Sequence, residues 1–188
     1  MFIVWLTFIV CLALVLYTIF LMVGDIAGAP FVPLVQKDLN VIFKHLKVKK
    51  SDVFVDLGSG DGRVVRIATQ TLGIPSIGVE INPFLVVYSR ILSRLKKDSQ
   101  AHFILQNFQN FPLTSATMVF MYLYPEAVIK LGTKIQKECL KGTQIISVAF
   151  AIPEWEKNLY KAFSTPSGKM VYWYKLPSQS HDFSHKGG

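Results

Sequence analysis

The sequence has only two cysteines and four histidines in 188 residues, and no charged residue before Asp25. Cys11 falls in an apolar run and Cys139 in a helix-patterned segment, so a disulfide framework is excluded and reduced thiols are expected. His181 and His185 sit in the polar stretch "PSQSHDFSHKGG", which reads as a solvated tail, so no metal site is expected. Acids are scarce: 20 Lys and Arg face 12 Asp and Glu, a net charge of +8. No basic run is interleaved with aromatics as base stacking would need, so nucleic acid is not the expected partner. There is no internal repeat, and the length suits one domain with at most a short appendage.

The charge-free run from Met1 to Val23 is the first positive signal. As a helix rising 1.5 Å per residue it would reach roughly 33 Å, comparable with a bilayer core of about 30 Å. It exceeds the apolar core of a signal peptide and lacks a basic flank ahead of it. The expectation is therefore a transmembrane anchor over residues 1–23 with the lipid bilayer as a partner. Every Lys and Arg follows it, from Lys37 through "KHLKVKK" at residues 44–50. By the positive-inside rule the globular part should then face the cytoplasm or an organelle matrix, as a single-pass protein. The basic surface reads equally as a face against anionic headgroups or as solvated lysines.

After a linker and an amphipathic helix (residues 24–50), short apolar strands alternate with helices over residues 51–177, ahead of a tail at 178–188. "DVFVDLG", "SIGVEI", "HFILQ", "TMVFMYL" and "TQIISVAF" read as strands. "GRVVRIATQTLG", "PFLVVYSRILSRLKK" and "PEAVIKLGTKIQKECLKG" read as helices, closed by Gly73 and Gly142 where glycine C-caps fall. Such alternation predicts an α/β fold: a Rossmann-like, mostly parallel sheet with helices on both faces. "LYKAFST" and "KMVYWYKL" flank "PSG" and predict an antiparallel hairpin at its C-terminal end.

"DVFVDLGSGDGR" carries glycines at 58, 60 and 62. A dinucleotide fingerprint needs G-x-G-x-x-G, and Arg63 stands where its third glycine would be. A P-loop needs G-K-[ST] at the helix start, which is also missing. What remains is a strand carrying Asp56, a turn bare enough for a ligand to lie against, and a second acid, Glu80, at the end of the next strand. Adjacent parallel strands would bring both acids to one carboxyl edge, where a carboxylate can accept both hydroxyls of a ribose. Asp61 fits either an N-cap or a ligand contact.

"VDLGSGDGR" with "GVEINP" resembles the cofactor motifs of class I S-adenosylmethionine-dependent methyltransferases. Together with "GAPFVP" and the N-terminal run, it is similar to the membrane-anchored protein-lysine methyltransferases of the ATP synthase c-subunit and adenine nucleotide translocase, and to their prokaryotic relatives. The resemblance implies that S-adenosyl-L-methionine is the cofactor, with Gly58, Gly60 and Gly62 beneath it and Glu80 on the ribose. Asp56 would organise the turn or reach the methionine amino group through water. Asn107 with Phe108 stands where the family commonly has an acid that reads adenine.

A lysine nucleophile must be neutral, which an apolar aromatic pocket favours by desolvation. "MYLYPE" offers Tyr122 and Tyr124 where amine-modifying members of the class face substrate, and Phe31 and Trp155 are further candidates to close the pocket. Each ring could equally be ordinary packing. The expected activity is methylation of a lysine on a membrane protein. The alternatives are a membrane-bound methyltransferase for a small molecule such as a quinone or lipid, and a non-catalytic binding module; intact Asp56, Gly58, Gly60 and Glu80 argue against the last.

Overall fold

The computed structural model describes residues 1–26 and 32–176, with the side chains of residues 16 and 19–26 outside that description. Helix α1 is Phe2–Ile26 and α2 is Gln36–His45. The α/β part then runs β1 (Phe54–Leu57), α3 (Arg63–Leu72), β2 (Ser76–Glu80), α4 (Pro83–Leu95), β3 (Ala101–Leu105), β4 (Met118–Met121), α5 (Pro125–Glu138) and β5 (Gln144–Val148). It closes with β6 (Leu159–Ser164) and β7 (Met170–Lys175).

The seven strands form one sheet in the order β3-β2-β1-β4-β5-β7-β6. Pairings from β3 to β5 are parallel, whereas β7 runs antiparallel to both β5 and β6. The expected Rossmann-like sheet with a C-terminal hairpin is thus present, and the hairpin completes the sheet instead of standing apart from it. Strand order reverses between β1 and β4, and in open α/β sheets ligands bind at the carboxyl edge of such a switch point.

Successive side chains on a strand point to opposite faces, so each central strand feeds two cores. Val55, Leu57, Val119, Met121 and Ile145 pack under α5 with Val128, Leu131 and Ile135. Phe54, Met118, Phe120, Ile146 and Val148 pack on the other face against Leu39, Ile42 and Phe43 of α2 and Val64 and Ile67 of α3. Burial of every residue in β1 and β4 explains why β4 reads as an unbroken apolar run and β1 as one broken only by Asp56.

Three expectations change. A membrane-crossing helix needs about 20 consecutive apolar residues. Among the described residues no helix is long and apolar enough to cross a membrane. That finding overturns the single-pass anchor, and with it the cytoplasm- or matrix-facing placement; freedom from charge is necessary for a span but does not make one. Second, α5 ends at Glu138 with Cys139 in extended backbone, and Gly142 (φ +80°) belongs to the turn before β5 rather than to the helix end. Third, Val35, which spacings of three and four place with Leu39, Ile42, Phe43 and Leu46 on the apolar face of this helix, precedes α2 and is exposed, because the buried stripe of the helix begins at Asp38 and Leu39. The tail at residues 178–188, with His181 and His185, lies outside the described residues.

Candidate active site

The turn after β1 is held by its neighbour strand. Gly58 N–H (2.9 Å) and Ser59 N–H (3.0 Å) both donate to the Val79 carbonyl of β2. Gly58 and Gly62 have φ of +79° and +74°, a backbone region that side chains resist. Space is short as well: a Cβ on Gly58 would lie 2.7 Å from Leu123 Cδ2, and one on Gly62 would lie 2.7 Å from both Phe103 Cζ and Ser89 Oγ. The third glycine of this G-x-G-x-G spacing therefore lets α3 start against β3 and α4.

Glu80 joins the turn to the β2 exit. Its Oε2 accepts from Gly60 N–H at 2.9 Å, and its Oε1 accepts from Ile81 and Asn82 N–H at 2.9 and 2.8 Å. Asn82 caps α4 by accepting from Phe84 N–H at 3.0 Å and Leu85 N–H at 3.5 Å, with Pro83 in the first turn. The carboxylate is thus oriented by backbone donors while remaining partly exposed at the edge.

Asp56 is 2% exposed, and its Oδ2 has no hydrogen-bond partner among the described residues. Burial, reinforced by the charges of Glu80 and Asp61, pushes its carboxyl well above the usual range. An orphaned acid oxygen beside a bare turn is the environment a cationic or hydrogen-bond-donating ligand would relieve.

Asp61 is not the helix N-cap, which is Gly62. Its carboxylate accepts from Arg63 N–H at 3.1 Å and pairs with the Arg63 guanidinium at 2.7 Å. The same guanidinium donates to the Leu34 carbonyl at 3.2 Å, tying the segment ahead of α2 to the turn. Arg66 adds a 2.8 Å bond to the Asp61 carbonyl. Asp-x-Arg spacing at a helix start was the signal that could have found Arg63.

On the other side, Gln106 N–H donates to the Glu80 carbonyl at 2.9 Å, which brings the β3 exit to the same edge. Asn107 is exposed there, with Oδ1 accepting from Gln109 N–H at 2.9 Å, and Phe108 packs partly into the core. Tyr122 and Tyr124 leave the end of β4. Tyr122 is half-buried against the α2 face, and Tyr124 precedes α5 with 39% exposure. Burial, with the nearby Tyr124 and the charge of Asp38, raises the Tyr122 hydroxyl, which therefore stays protonated and able to donate.

Trp155 is only 3% exposed and packs edge-to-face on Tyr174 with ring centroids 5.6 Å apart, so its indole is a core element beneath the edge. Phe31 and the first four residues of "GAPFVP" lie outside the described residues.

Asp38 was not anticipated. It is fully buried in α2 and accepts from Ser167 N–H at 3.1 Å and from the Ser167 hydroxyl, with Lys169 Nζ at 3.9 Å. Burial alone would raise its carboxyl, but these partners outweigh it and hold it below the usual range. Because Ala149 N–H donates to the Met170 carbonyl, the β6–β7 turn that Asp38 grips stands at the carboxyl edge beyond β5. An acid at the margin of the apolar stripe of α2 was its only sequence signal.

The ANTKMT methyltransferase domain matches this sequence over residues 56–159, from the orphaned acid to the start of β6. The chain belongs to that family. The mouse ATP synthase c-subunit lysine N-methyltransferase is 32% identical over 152 residues, covering 80% of this chain and 59% of the relative. A protein-lysine N-methyltransferase of Saccharolobus islandicus is 30% identical over 152 residues, covering 78% and 93%. Among solved structures, an RNA methyltransferase from Salinibacter ruber in complex with S-adenosyl-L-homocysteine superposes with a TM-score of 0.74 at 28% identity, covering 79% of this chain and 95% of that one. This ANTKMT-family chain spans little more than half the length of the ATP synthase c-subunit lysine N-methyltransferases it matches in mouse and human (59% and 54%).

Proposed function

We propose that the chain is an S-adenosylmethionine-dependent protein-lysine methyltransferase, and that its acceptor is a lysine of a membrane protein. The observation that carries the cofactor half is the carboxylate of Glu80, oriented by Gly60, Ile81 and Asn82 beside the orphaned Oδ2 of Asp56. The lysine half is supported by relatives named for lysine methylation of the ATP synthase c-subunit and the adenine nucleotide translocase, and by one named as a protein-lysine N-methyltransferase.

The residues present fit the cofactor. Glu80 would accept the ribose hydroxyls and Asp56 would answer the methionine ammonium. Gly58, Gly60 and Gly62 would lie against the ligand, while Asp61 keeps the turn closed through Arg63. Asn107 has a side-chain N–H₂ to offer the adenine, and Phe108 an apolar ring edge. When bound, the cofactor supplies an electrophilic methyl group on a sulfonium, so that the N–C bond forms as the S–C bond breaks and a neutral thioether leaves.

The chain's own task is to present a neutral amine in line and to exclude water. At pH 7 a free lysine with pKa near 10.4 costs about 4.6 kcal/mol to deprotonate, a cost that desolvation in an apolar pocket lowers. Tyr122, protonated and half-buried, can accept a hydrogen bond from the amine and turn its lone pair toward the methyl, and Tyr124 supplies an exposed ring beside it. Trp155 supports this edge from within the core.

The test is to incubate extract from a deletion strain with the purified full chain and methyl-labelled S-adenosylmethionine, then locate the label. Methyllysine in a protein band is expected. Label confined to RNA, or to the organic extract as for a quinone or lipid acceptor, rejects the proposal.

A further inference from the structure

The exit of β5 is built with more care than a connecting loop requires. Ala149, a residue with a Cβ, has φ of +73°, a conformation that persists only where its surroundings impose it. Three hydrogen bonds impose it here. Ala149 N–H donates to the Met170 carbonyl at 2.8 Å, the fully buried Ser147 hydroxyl donates to the Phe150 carbonyl at 2.6 Å, and Ile152 N–H donates to the Tyr174 hydroxyl at 3.0 Å. What this clamped turn presents is Phe150, with 37% of its surface exposed.

The sheet register says where Phe150 stands. β4 and β5 are parallel neighbours with Met121 opposite Ser147, so the exits that carry Tyr124 and Phe150, each three residues further on, adjoin at the carboxyl edge. Tyr124 is 39% exposed. Two large exposed rings thus leave the exits of adjacent strands on the carboxyl edge. Tyr124 stands one residue beyond Leu123, which lies close enough to the glycine turn to collide with a Cβ on Gly58. A strained backbone clamped to hold an apolar ring in solvent makes little sense as packing; it makes sense as one wall of a slot.

We infer that Phe150 is a specificity-determining residue whose ring, facing Tyr124, encloses the aliphatic stem of the acceptor lysine. This inference rests on the lysine-methyltransferase reading and deepens it. Phe150 has no polar atom, so its contribution is to pack four methylenes, to strip water from the amine and to set how much room is left for methyl groups already added. A small amide or hydroxyl substrate would gain nothing from such a slot.

The test compares the wild-type full chain with Phe150→Ala and Phe150→Leu, using total protein from a deletion strain as acceptor and S-adenosylmethionine as methyl donor. The half-saturating acceptor concentration, the cofactor Kd and the mono-, di- and trimethyllysine released by acid hydrolysis are measured. For Phe150→Ala the half-saturating acceptor concentration should rise roughly tenfold, with cofactor Kd within about twofold and a shift toward the more methylated products. Phe150→Leu should fall between the two. Unchanged half-saturation and an unchanged product pattern in Phe150→Ala overturn the slot while leaving the lysine reading intact. A parallel loss of cofactor affinity also overturns it, because the ring would then be supporting the fold. Absence of methyllysine with the wild type sinks the lysine reading and this inference together.

Discussion

The two halves of the carboxyl edge are built differently. The half at β1 and β2 is a polar lattice: Glu80 holds three backbone N–H groups, Asp61 is locked to Arg63, and Asp56 is left with an unanswered oxygen. The half at β4 and β5 is apolar, with Tyr122, Tyr124 and Phe150 at the strand exits and Asp38 gripping the β6–β7 turn behind them. A polar ligand of fixed shape is matched by donors and acceptors, whereas a flexible chain ending in one amine is matched by walls. The same contrast appears in two buried acids. Asp56 is held above the usual carboxylate range and Asp38 below it, because the first is isolated by burial among like charges and the second is fully hydrogen-bonded.

The sharpest break is expected on the cofactor side. Glu80→Ala removes a hydrogen-bonded charge and should weaken S-adenosylmethionine binding by roughly a hundredfold or more, read by titration calorimetry. Half-saturation by the acceptor should change little in the same variant; an equal loss on both sides would erase the division between the halves.

Next in size is Asp38→Ala, which leaves the Ser167 N–H and hydroxyl and the Lys169 ammonium without their partner. It should cost about 2–3 kcal/mol in urea unfolding at neutral pH. Since Asp38 is lowered in the folded chain, its contribution is present above the unfolded carboxylate pKa and is lost as pH falls through the lowered value. The gap between variant and wild type should therefore close in acid.

Tyr124→Ala should reduce kcat/KM for the acceptor about tenfold, and Tyr124→Phe only about twofold, with cofactor Kd unmoved in both. A large effect of Tyr124→Phe would mean that the hydroxyl, and not the ring, does the work. The smallest effect is the pH slope of the ligand-free chain. Asp56 is raised when folded, so its contribution is full below the unfolded carboxylate pKa near 3.9 and is lost as pH rises through the raised value. Asp56→Asn should flatten that part of the stability profile while weakening cofactor binding. A slope identical to wild type would show that Asp56 is not isolated.

Much of the first half was legible because it is local. Strand, glycine turn, helix and second acid occupy residues 54–82 of one unbroken segment, and φ greater than zero admits few residues besides glycine. The pairing of Arg63 with Asp61 escaped notice because Asp61 admitted two roles and the partner two residues on settled neither. The second half depends on contacts between distant parts of the chain. Asp38 meets Ser167 across 129 residues, and the strand exits that carry Phe150 and Tyr124 adjoin only through the pairing of β4 with β5. The N-terminal run shows the converse: its lack of charge pointed to a membrane span, yet no described helix has the length and apolarity to cross one.

By itself, then, the sequence determined the α/β alternation, the spacing of a glycine turn that neither dinucleotide nor P-loop chemistry uses, and the pair of acids that flank it, because each depends on backbone preferences acting over a few residues. Which acid would be orphaned and which satisfied, that Trp155 would pack in the core, and that Phe150 would stand exposed at the strand exit next to that of Tyr124 were decided only in the tertiary structure. Burial, register and the partner across the sheet are properties of the folded chain, and no local pattern encodes them.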